Sequence, residues 1–205
     1  MQHADVIIVG GGVGGLSCAI TIASANTKPW FRNRTVLVID DGQSDLTKAQ
    51  LNNAPGIAPG TRGSVALQQM RSQLLQYPTA LCRNGTVTKI RRNEHTWMVH
   101  VGDDEEKCWT CDELVLATGY KPANTDHLPI DPIAHPRGGK SNRIMLKHDG
   151  MYCVAPHLHV AGLLGGGSSQ FAIAAGIGAQ VGVEILSCWA GKRTHVHDVP
   201  ETPVT

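Results

Sequence analysis

The sequence predicts a three-layer α/β fold, a parallel sheet accompanied by a small antiparallel β-meander. Three observations carry that prediction. Val6-Ile7-Ile8-Val9, β-branched throughout, runs straight into a glycine turn and then into the small-residue helix Leu16-Ser17-Cys18-Ala19-Ile20. A second apolar strand, Val36-Leu37-Val38-Ile39, follows and ends on Asp40. Further on, residues 96–101 and 106–110 face each other across Gly102-Asp103-Asp104 in the manner of an antiparallel hairpin. Strand, turn, helix and strand make one β-α-β unit, whose strands are parallel because the helix carries the chain back across the sheet.

The glycine turn is the most informative stretch. Gly10, Gly12 and Gly15 stand at G-x-G-x-x-G spacing, and each has its own task. Gly10 permits the tight turn, Gly12 lets a diphosphate approach the backbone, and Gly15 allows the helix to lie close against the strand. A diphosphate placed there meets unpaired N–H groups at the positive end of the helix. Asp40, at the end of the next strand, can accept both hydroxyls of an unphosphorylated adenosine ribose. The pattern therefore predicts dinucleotide binding; the plainer alternative is a glycine turn used only for packing.

The remaining elements follow in order. Ala54-Pro55-Gly56-Ile57-Ala58-Pro59-Gly60 is a rigid loop, and a helix is predicted over 62–76 with Leu67, Met70 and Leu74 on one face. Residues 81–90 read as one strand around Gly85, and Leu114-Val115-Leu116-Ala117 as a short buried strand closing on Thr118-Gly119. From 121 to 147 the chain is rich in Pro, Gly, His and Asn and reads as a loop with little regular structure. Residues 151–155 and 159–161 return to strand character, and 170–189 reads as a helix in which Gly178 and Gly182 permit close packing. Residues 1–190 are expected to form one domain, followed by a disordered tail over 191–205.

Composition narrows the class. At 205 residues the chain can bury a substantial core, and a net charge of +1 without a basic stripe argues against nucleic acid as a partner. The weakly charged stretch 160–189 is a poor membrane span because of its glycine cluster, Ser168-Ser169-Gln170 and Glu184. The six cysteines show no disulfide framework, so reduced thiols and a cytoplasmic location are expected.

Four further motifs separate one dinucleotide from another. Asn53-Ala54-Pro55-Gly56, followed by Gly63 and an amphipathic helix, resembles the Asn-x-Pro-Gly loop of the thioredoxin-reductase-like flavoproteins, which lies along the flavin. Val87 within Gly85-Thr86-Val87 resembles their adenine-contacting strand, and Ala117-Thr118-Gly119 their Ala-Thr-Gly turn. Residues 150–162 with Gln170-Phe171-Ala172 resemble their last FAD segment, which feeds a helix aimed at the isoalloxazine. The resemblance covers most of 4–188 and implies a three-layer FAD/NAD(P)-binding Rossmann-like fold. It implies FAD contacts from Gly10, Gly12, Val13, Gly14, Gly15, Asp40, Asp41, Asn53, Gly56, Val87, Ala117, Thr118, Gly119, Gly162, Leu163, Ser169, Gln170 and Ala172. Independently of it, a helix N-terminus near a reduced flavin favours its negative charge, and Ser168, Ser169 and Gln170 can supply the cap and a donor. Tyr120, just past the Ala-Thr-Gly turn, is placed either to face the flavin or to pack.

Two departures from the family matter. Only thirty residues separate Gly119 from Gly150, where full-length members insert an NADPH domain of fifty residues or more. The family's Gly-Asp in the last segment is Gly162-Leu163 here, and leucine cannot accept the expected hydrogen bond. The insertion 26–34, with Trp30 and Phe31, is also unusual.

Cys108-Trp109-Thr110-Cys111 has the spacing of a redox dithiol. On a strand, residues three apart face opposite sides roughly 10 Å apart, beyond the ~7 Å a disulfide spans. His157-x-His159, with Cys153 nearby, suggests a metal site that could borrow Cys108 and Cys111, and no metal is assigned. No catalytic acid, base or dithiol is assigned either. The expected function is an FAD-dependent oxidoreductase passing electrons through the flavin, with a small molecule or an electron-transfer protein as redox partner. Self-association as a homodimer is expected; a non-catalytic FAD-binding sensor or subunit is the alternative.

Overall fold

The structure, a computed structural model, describes residues 2–94, 96–102, 108–120, 130–140 and 142–197. The chain runs β1 (Gln2–His3), β2 (Val6–Val9), α1 (Val13–Ala23), β3 (Val36–Asp40), β4 (Gln50–Leu51), β5 (Thr61–Arg62) and α2 (Gly63–Leu74). It continues through β6 (Ala80–Asn84), β7 (Val87–Arg92), β8 (Trp97–Val101), β9 (Cys108–Cys111) and β10 (Glu113–Leu116). The last elements are β11 (Pro132–Ala134), β12 (Ile144–Leu146), β13 (Cys153–Ala155), β14 (Leu158–Val160) and α3 (Phe171–Ala190).

The central sheet has the order β13-β14-β10-β2-β3-β6, parallel except for the antiparallel edge strand β13. Its strands are apolar on both faces because both are covered. Val6, Ile8, Val36, Val38 and Val115 turn toward α1, α2 and α3. Ile7, Leu37, Ile39, Leu114 and Leu116 turn toward the second sheet, where Ile90, Trp97 and Val99 complete the other core. That second sheet, β1-β9-β8-β7, is the expected antiparallel meander with β1 added parallel at its edge. The three layers are therefore helices, parallel sheet and meander.

Glycines set the helix layer. A Cβ at Gly178 of α3 would lie 2.0 Å from the carbonyl oxygen of Gly14, and one at Gly182 would lie 2.9 Å from Thr21 Cβ. The four-residue spacing thus lets α3 lie directly on α1, as the sequence suggested. α3 is long and apolar enough to cross a membrane by length and composition; here Val181, Ile185 and Leu186 are buried against α1 and the sheet. The insertion is a plug for the end of this layer. Phe31 is fully buried, edge-on to Trp189, and Arg34 stacks over Trp189 while binding the carbonyls of Trp30 and Phe31.

The structure corrects three expectations. Residues 81–90 are two strands in different sheets: β6 ends at Asn84, and the chain crosses at Gly85 to begin β7. Val101 Cγ1 lies 2.4 Å from where a Gly85 Cβ would stand, so any larger residue at the crossing would have to displace the Val101 side chain. The 121–147 segment contains a hairpin, β11 with β12, while 121–129 lie outside the described residues. Past α3, Thr194 is buried and Val196 packs on the helix-side core, so the chain stays against the domain as far as these residues; 198–205 lie outside the description.

Candidate functional site

A cleft of about 460 Å³ opens at the C-terminal ends of β2, β3 and β10, the end where ligands enter open α/β sheets. The volume lies within the ~300–1,000 Å³ of small-molecule sites. Its floor is the glycine turn, and each glycine there has a measurable reason. Gly10 takes φ +109°, and a Cβ on it would meet the Ala117 carbonyl oxygen at 2.5 Å. A Cβ on Gly15 would stand 2.0 Å from the Gly10 oxygen, and one on Gly14 2.6 Å from Gly162 Cα. Gly12 is different: a Cβ there would meet only Ser44 Oγ, at 3.5 Å, so the space beside it belongs to the cleft. Gly12 also caps α1 without a side-chain bond, leaving the first-turn N–H groups of that helix turned to the same space.

Asp40 closes one end. Its Oδ1 accepts the Gly11 N–H at 3.0 Å, and its Oδ2 accepts the Arg71 guanidinium at 2.7 Å. Arg71 reaches from α2 and donates to Asn84 as well, at 3.1 Å. Each carboxylate oxygen is thus anchored by one donor, and Asp40 itself lines the cleft. Asp41 lines the same end, where it accepts the Gln43 N–H at 2.9 Å. Val87 forms the side wall there with Gly85 and Thr86.

The opposite end joins three loops. Asn53 Nδ2 donates to Gln170 Oε1 at 2.9 Å, tying the loop between β4 and β5 to the start of α3. Ala117, Thr118, Gly119 and Tyr120 follow β10 along one wall. Gly162, Leu163 and Ser169 complete the other wall.

The cleft therefore brings together Gly10, Gly12, Val13, Gly14, Asp40, Asp41, Asn53, Val87, Ala117, Thr118, Gly119, Gly162, Leu163, Ser169 and Gln170. Three residues proposed for it from sequence lie elsewhere. Gly15 faces the Gly10 backbone, Gly56 sits exposed at φ +79° with open space around it, and Ala172 is exposed on α3. Helical phase explains the last: Phe171 and Ala174, three apart, take the face that lines the cleft. The expected side-chain cap on α3 is also not made; Gln170 caps with its backbone, while its side chain is held by Asn53. Arg71, Ser44 and Leu46 went unread because their nearness to Asp40 and Gly12 is set by tertiary packing, with no local motif.

The thiols and histidines lie outside the cleft. Cys108 and Cys111 are free, four residues of one strand whose ends face opposite ways: Cys111 sits in the meander core, and the Cys108 sulfur is 3.8 Å from His100 Nε2. Burial pushes both thiols above their ordinary range, which keeps them protonated. His157 and His159 hold a carboxylate between them, at 2.8 and 3.0 Å from Glu113, on the central sheet, whereas Cys108 and Cys111 belong to the meander. Burial works to raise Glu113, but the hydrogen bonds from His159 and His157 outweigh it and hold the carboxyl below its ordinary value.

Comparison with known proteins agrees with this geometry. The family model for pyridine nucleotide-disulphide oxidoreductases matches residues 4–157. A thioredoxin reductase of Pneumocystis jirovecii is 31% identical over 138 residues, 67% of this chain and 42% of the relative. Another relative, the glucosaminate ammonia-lyase of Pseudomonas fluorescens, is 27% identical over 119 residues, 58% of this chain and 35% of that protein. Among solved structures, a thioredoxin reductase from Gloeobacter violaceus superposes with a TM-score of 0.73 at 15% identity, covering 98% of this chain and 100% of that one. An oxidoreductase from Agrobacterium tumefaciens gives the same TM-score, 0.73, at 15% identity over 94% of this chain and 100% of its own. The chain spans about two fifths of the length of the curated relatives it matches, 42% and 38% for the first two. With a fingerprint turn at the sheet's C-terminal end and a matching model over three quarters of its length, the chain belongs to the pyridine nucleotide-disulphide oxidoreductase family, on its thioredoxin-reductase-like side.

Proposed function

We propose that the chain is the flavin-holding half of a thioredoxin-reductase-like oxidoreductase, and that its cleft takes FAD. The observation that carries this reading is Gly12, whose missing Cβ keeps open cleft space directly over the N-terminus of α1. The residues present fit the group. Gly12 leaves room for a diphosphate, the first turn of α1 supplies N–H donors and positive charge, and Asp40, held by Arg71, offers its free lone pairs to ribose hydroxyls. At the other end, the uncapped N-terminus of α3 supplies donors suited to negative charge. FAD, when bound, supplies hydride or single-electron transfer through its isoalloxazine ring. Leu163 stands where the family's carboxylate would accept a hydrogen bond, so the polar hold at this point falls to backbone.

The buried, protonated Cys108 and Cys111 favour electrons leaving from the flavin directly rather than through this pair. The thirty residues between Gly119 and Gly150 cannot form a second nucleotide domain within this stretch, so the reductant is a redox partner outside the fold described here: a small molecule or an electron-transfer protein. The free thiols are in keeping with a cytoplasmic setting. The test is anaerobic titration of the FAD-loaded chain with NADPH, NADH and dithionite, followed in the visible. Bleaching by a nicotinamide supports an enzyme with its own reductant, and bleaching by dithionite alone supports a separate electron carrier. FAD that no reductant reaches contradicts an electron-transfer role.

A further inference from the structure

The described residues of 130–148 reach back to the cleft wall through three side chains. β11 and β12 pair in register from Pro132 with Leu146 to Ala134 with Ile144, and the His135 N–H donates to the Arg143 carbonyl at 2.9 Å. His135 is buried, and both its ring nitrogens are engaged. Its Nδ1 accepts the Arg137 N–H at 3.1 Å, so Nε2 carries the hydrogen and donates to the Leu163 carbonyl at 2.9 Å. Arg137 Nη1 donates to the Gly166 carbonyl at 2.8 Å. His148 repeats the arrangement: Nδ1 accepts the Gly150 N–H at 3.1 Å, leaving Nε2 to donate to the Gly165 carbonyl at 3.3 Å. Tyr120, on the cleft side, stands edge-on to the His135 ring at 5.0 Å and carries Arg143 over its own ring at 4.6 Å.

The loop these side chains grip is Gly162-Leu163-Leu164-Gly165-Gly166-Gly167. Gly162–Gly165 forms a 3-10 turn with Leu164 buried in the core. Glycine, however, loses more conformational freedom on ordering than any other residue, so holding four glycines in one shape carries an entropic cost that outside contacts offset. Gly162 and Leu163 nevertheless form a wall of the cleft, and Leu163 has no carboxylate with which to hold a ligand. We infer that segment 130–148 is a strap that fixes this wall before the cofactor arrives, with His135 and Arg137 as positioning residues for the FAD-contacting loop. The inference rests on the reading of the cleft as an FAD site. Fixing a loop in its bound shape raises affinity by removing the ordering cost from the binding step. The strap acts at the Leu163 end, whereas an ADP moiety is gripped at the Gly12 and Asp40 end. Its loss should therefore weaken FAD more than ADP.

The experiment compares the wild-type chain with His135→Ala, Arg137→Met and His135→Gln, titrating each with FAD and with ADP by calorimetry after circular dichroism confirms the fold. The readout is the ratio of FAD to ADP affinity. We expect that ratio to fall about tenfold in His135→Ala and about fivefold in Arg137→Met. His135→Gln, whose amide N–H can still reach the Leu163 carbonyl, should recover most of it. A ratio equal to wild type in His135→Ala and Arg137→Met, whether both affinities fall together or neither moves, overturns the strap. A wild-type chain that takes ADP but no FAD overturns the reading of the cleft itself, and the strap with it.

Discussion

Gly12 and Gly15 belong to one motif, yet the structure assigns them opposite kinds of consequence when each is replaced by alanine. A methyl on Gly15 would stand 2.0 Å from the Gly10 carbonyl oxygen, while ordinary contact begins at 3.4 Å, so backbone must move by about 1.4 Å. Gly10 is the turn residue that follows β2 and Gly15 lies in α1, so the two backbones cannot separate without opening the core. Overpacking of that kind costs about 1–3 kcal/mol and more where backbone is trapped; replacing a helical glycine returns at most ~1 kcal/mol. We expect Gly15→Ala to lose roughly 3 kcal/mol, a drop of about 6–12 °C in Tm for a chain of this size. A methyl on Gly12 meets only Ser44 Oγ, at 3.5 Å. The backbone there is at φ −75°, which alanine adopts freely. Its small penalty as an N-cap is offset by a stiffer unfolded chain, so Tm in the absence of ligand should move by no more than ~4 °C. The methyl does stand between a diphosphate and the N–H groups of α1. Losing one or two charge-assisted bonds of about 1.5–3 kcal/mol each lowers FAD affinity tenfold or more. Thermal scans on ligand-free protein, together with FAD titration, separate the two effects. A Gly12→Ala protein that keeps wild-type FAD affinity refutes the placement of the diphosphate, and a Gly15→Ala protein of unchanged Tm refutes the packing role.

Three other outcomes are expected. Replacing Arg71 with Met frees Asp40 Oδ2 from its 2.7 Å partner and should weaken both FAD and ADP several-fold while leaving their ratio unchanged; equal binding by calorimetry would remove Arg71 from the site. Glu113 is held below its ordinary pKa, so its contribution is fully present above the unfolded value near 4.3 and is lost as pH falls through the folded value. Glu113→Gln should therefore lower stability by about 2 kcal/mol at pH 7 and flatten the acid limb of a urea-melt series below pH ~4.3; a parallel limb would show that Glu113 is not the titrating group. Cys108→Ser should leave the reduction rate of bound flavin unchanged in stopped-flow, and a rate that falls tenfold would put the thiol pair back on the electron path.

Much of this was legible because it rests on local chemistry. The β-branched runs, the glycine turn and Asp40 each dictate their conformation within a few residues, and the structure places them as read. The split of 81–90 was not legible: strand-forming Thr86-Val87-Thr88 resumes directly after Gly85 with no longer turn between, and only the Val101 side chain, sixteen residues away in sequence, makes the crossing visible. The β11–β12 hairpin escaped for a similar reason. Its strands are three residues each, β11 is exposed throughout, and the His135 bond to Leu163 that anchors it spans twenty-eight residues. In the cleft, backbone positions were readable from motif spacing, whereas Arg71 arrives from α2, thirty-one residues beyond Asp40, with nothing in the local pattern to announce it. Ala172 was misplaced because adjacency in sequence is not adjacency on a helix face.

The central claim is that the cleft over Gly12 holds FAD. The direct measurement is the visible spectrum of the purified chain after incubation with FAD and removal of free ligand by gel filtration. Flavin absorption retained at one equivalent per chain, and lost in Gly12→Ala, is the predicted result. A colourless protein that cannot be reconstituted, with NAD binding in calorimetry instead, would contradict it.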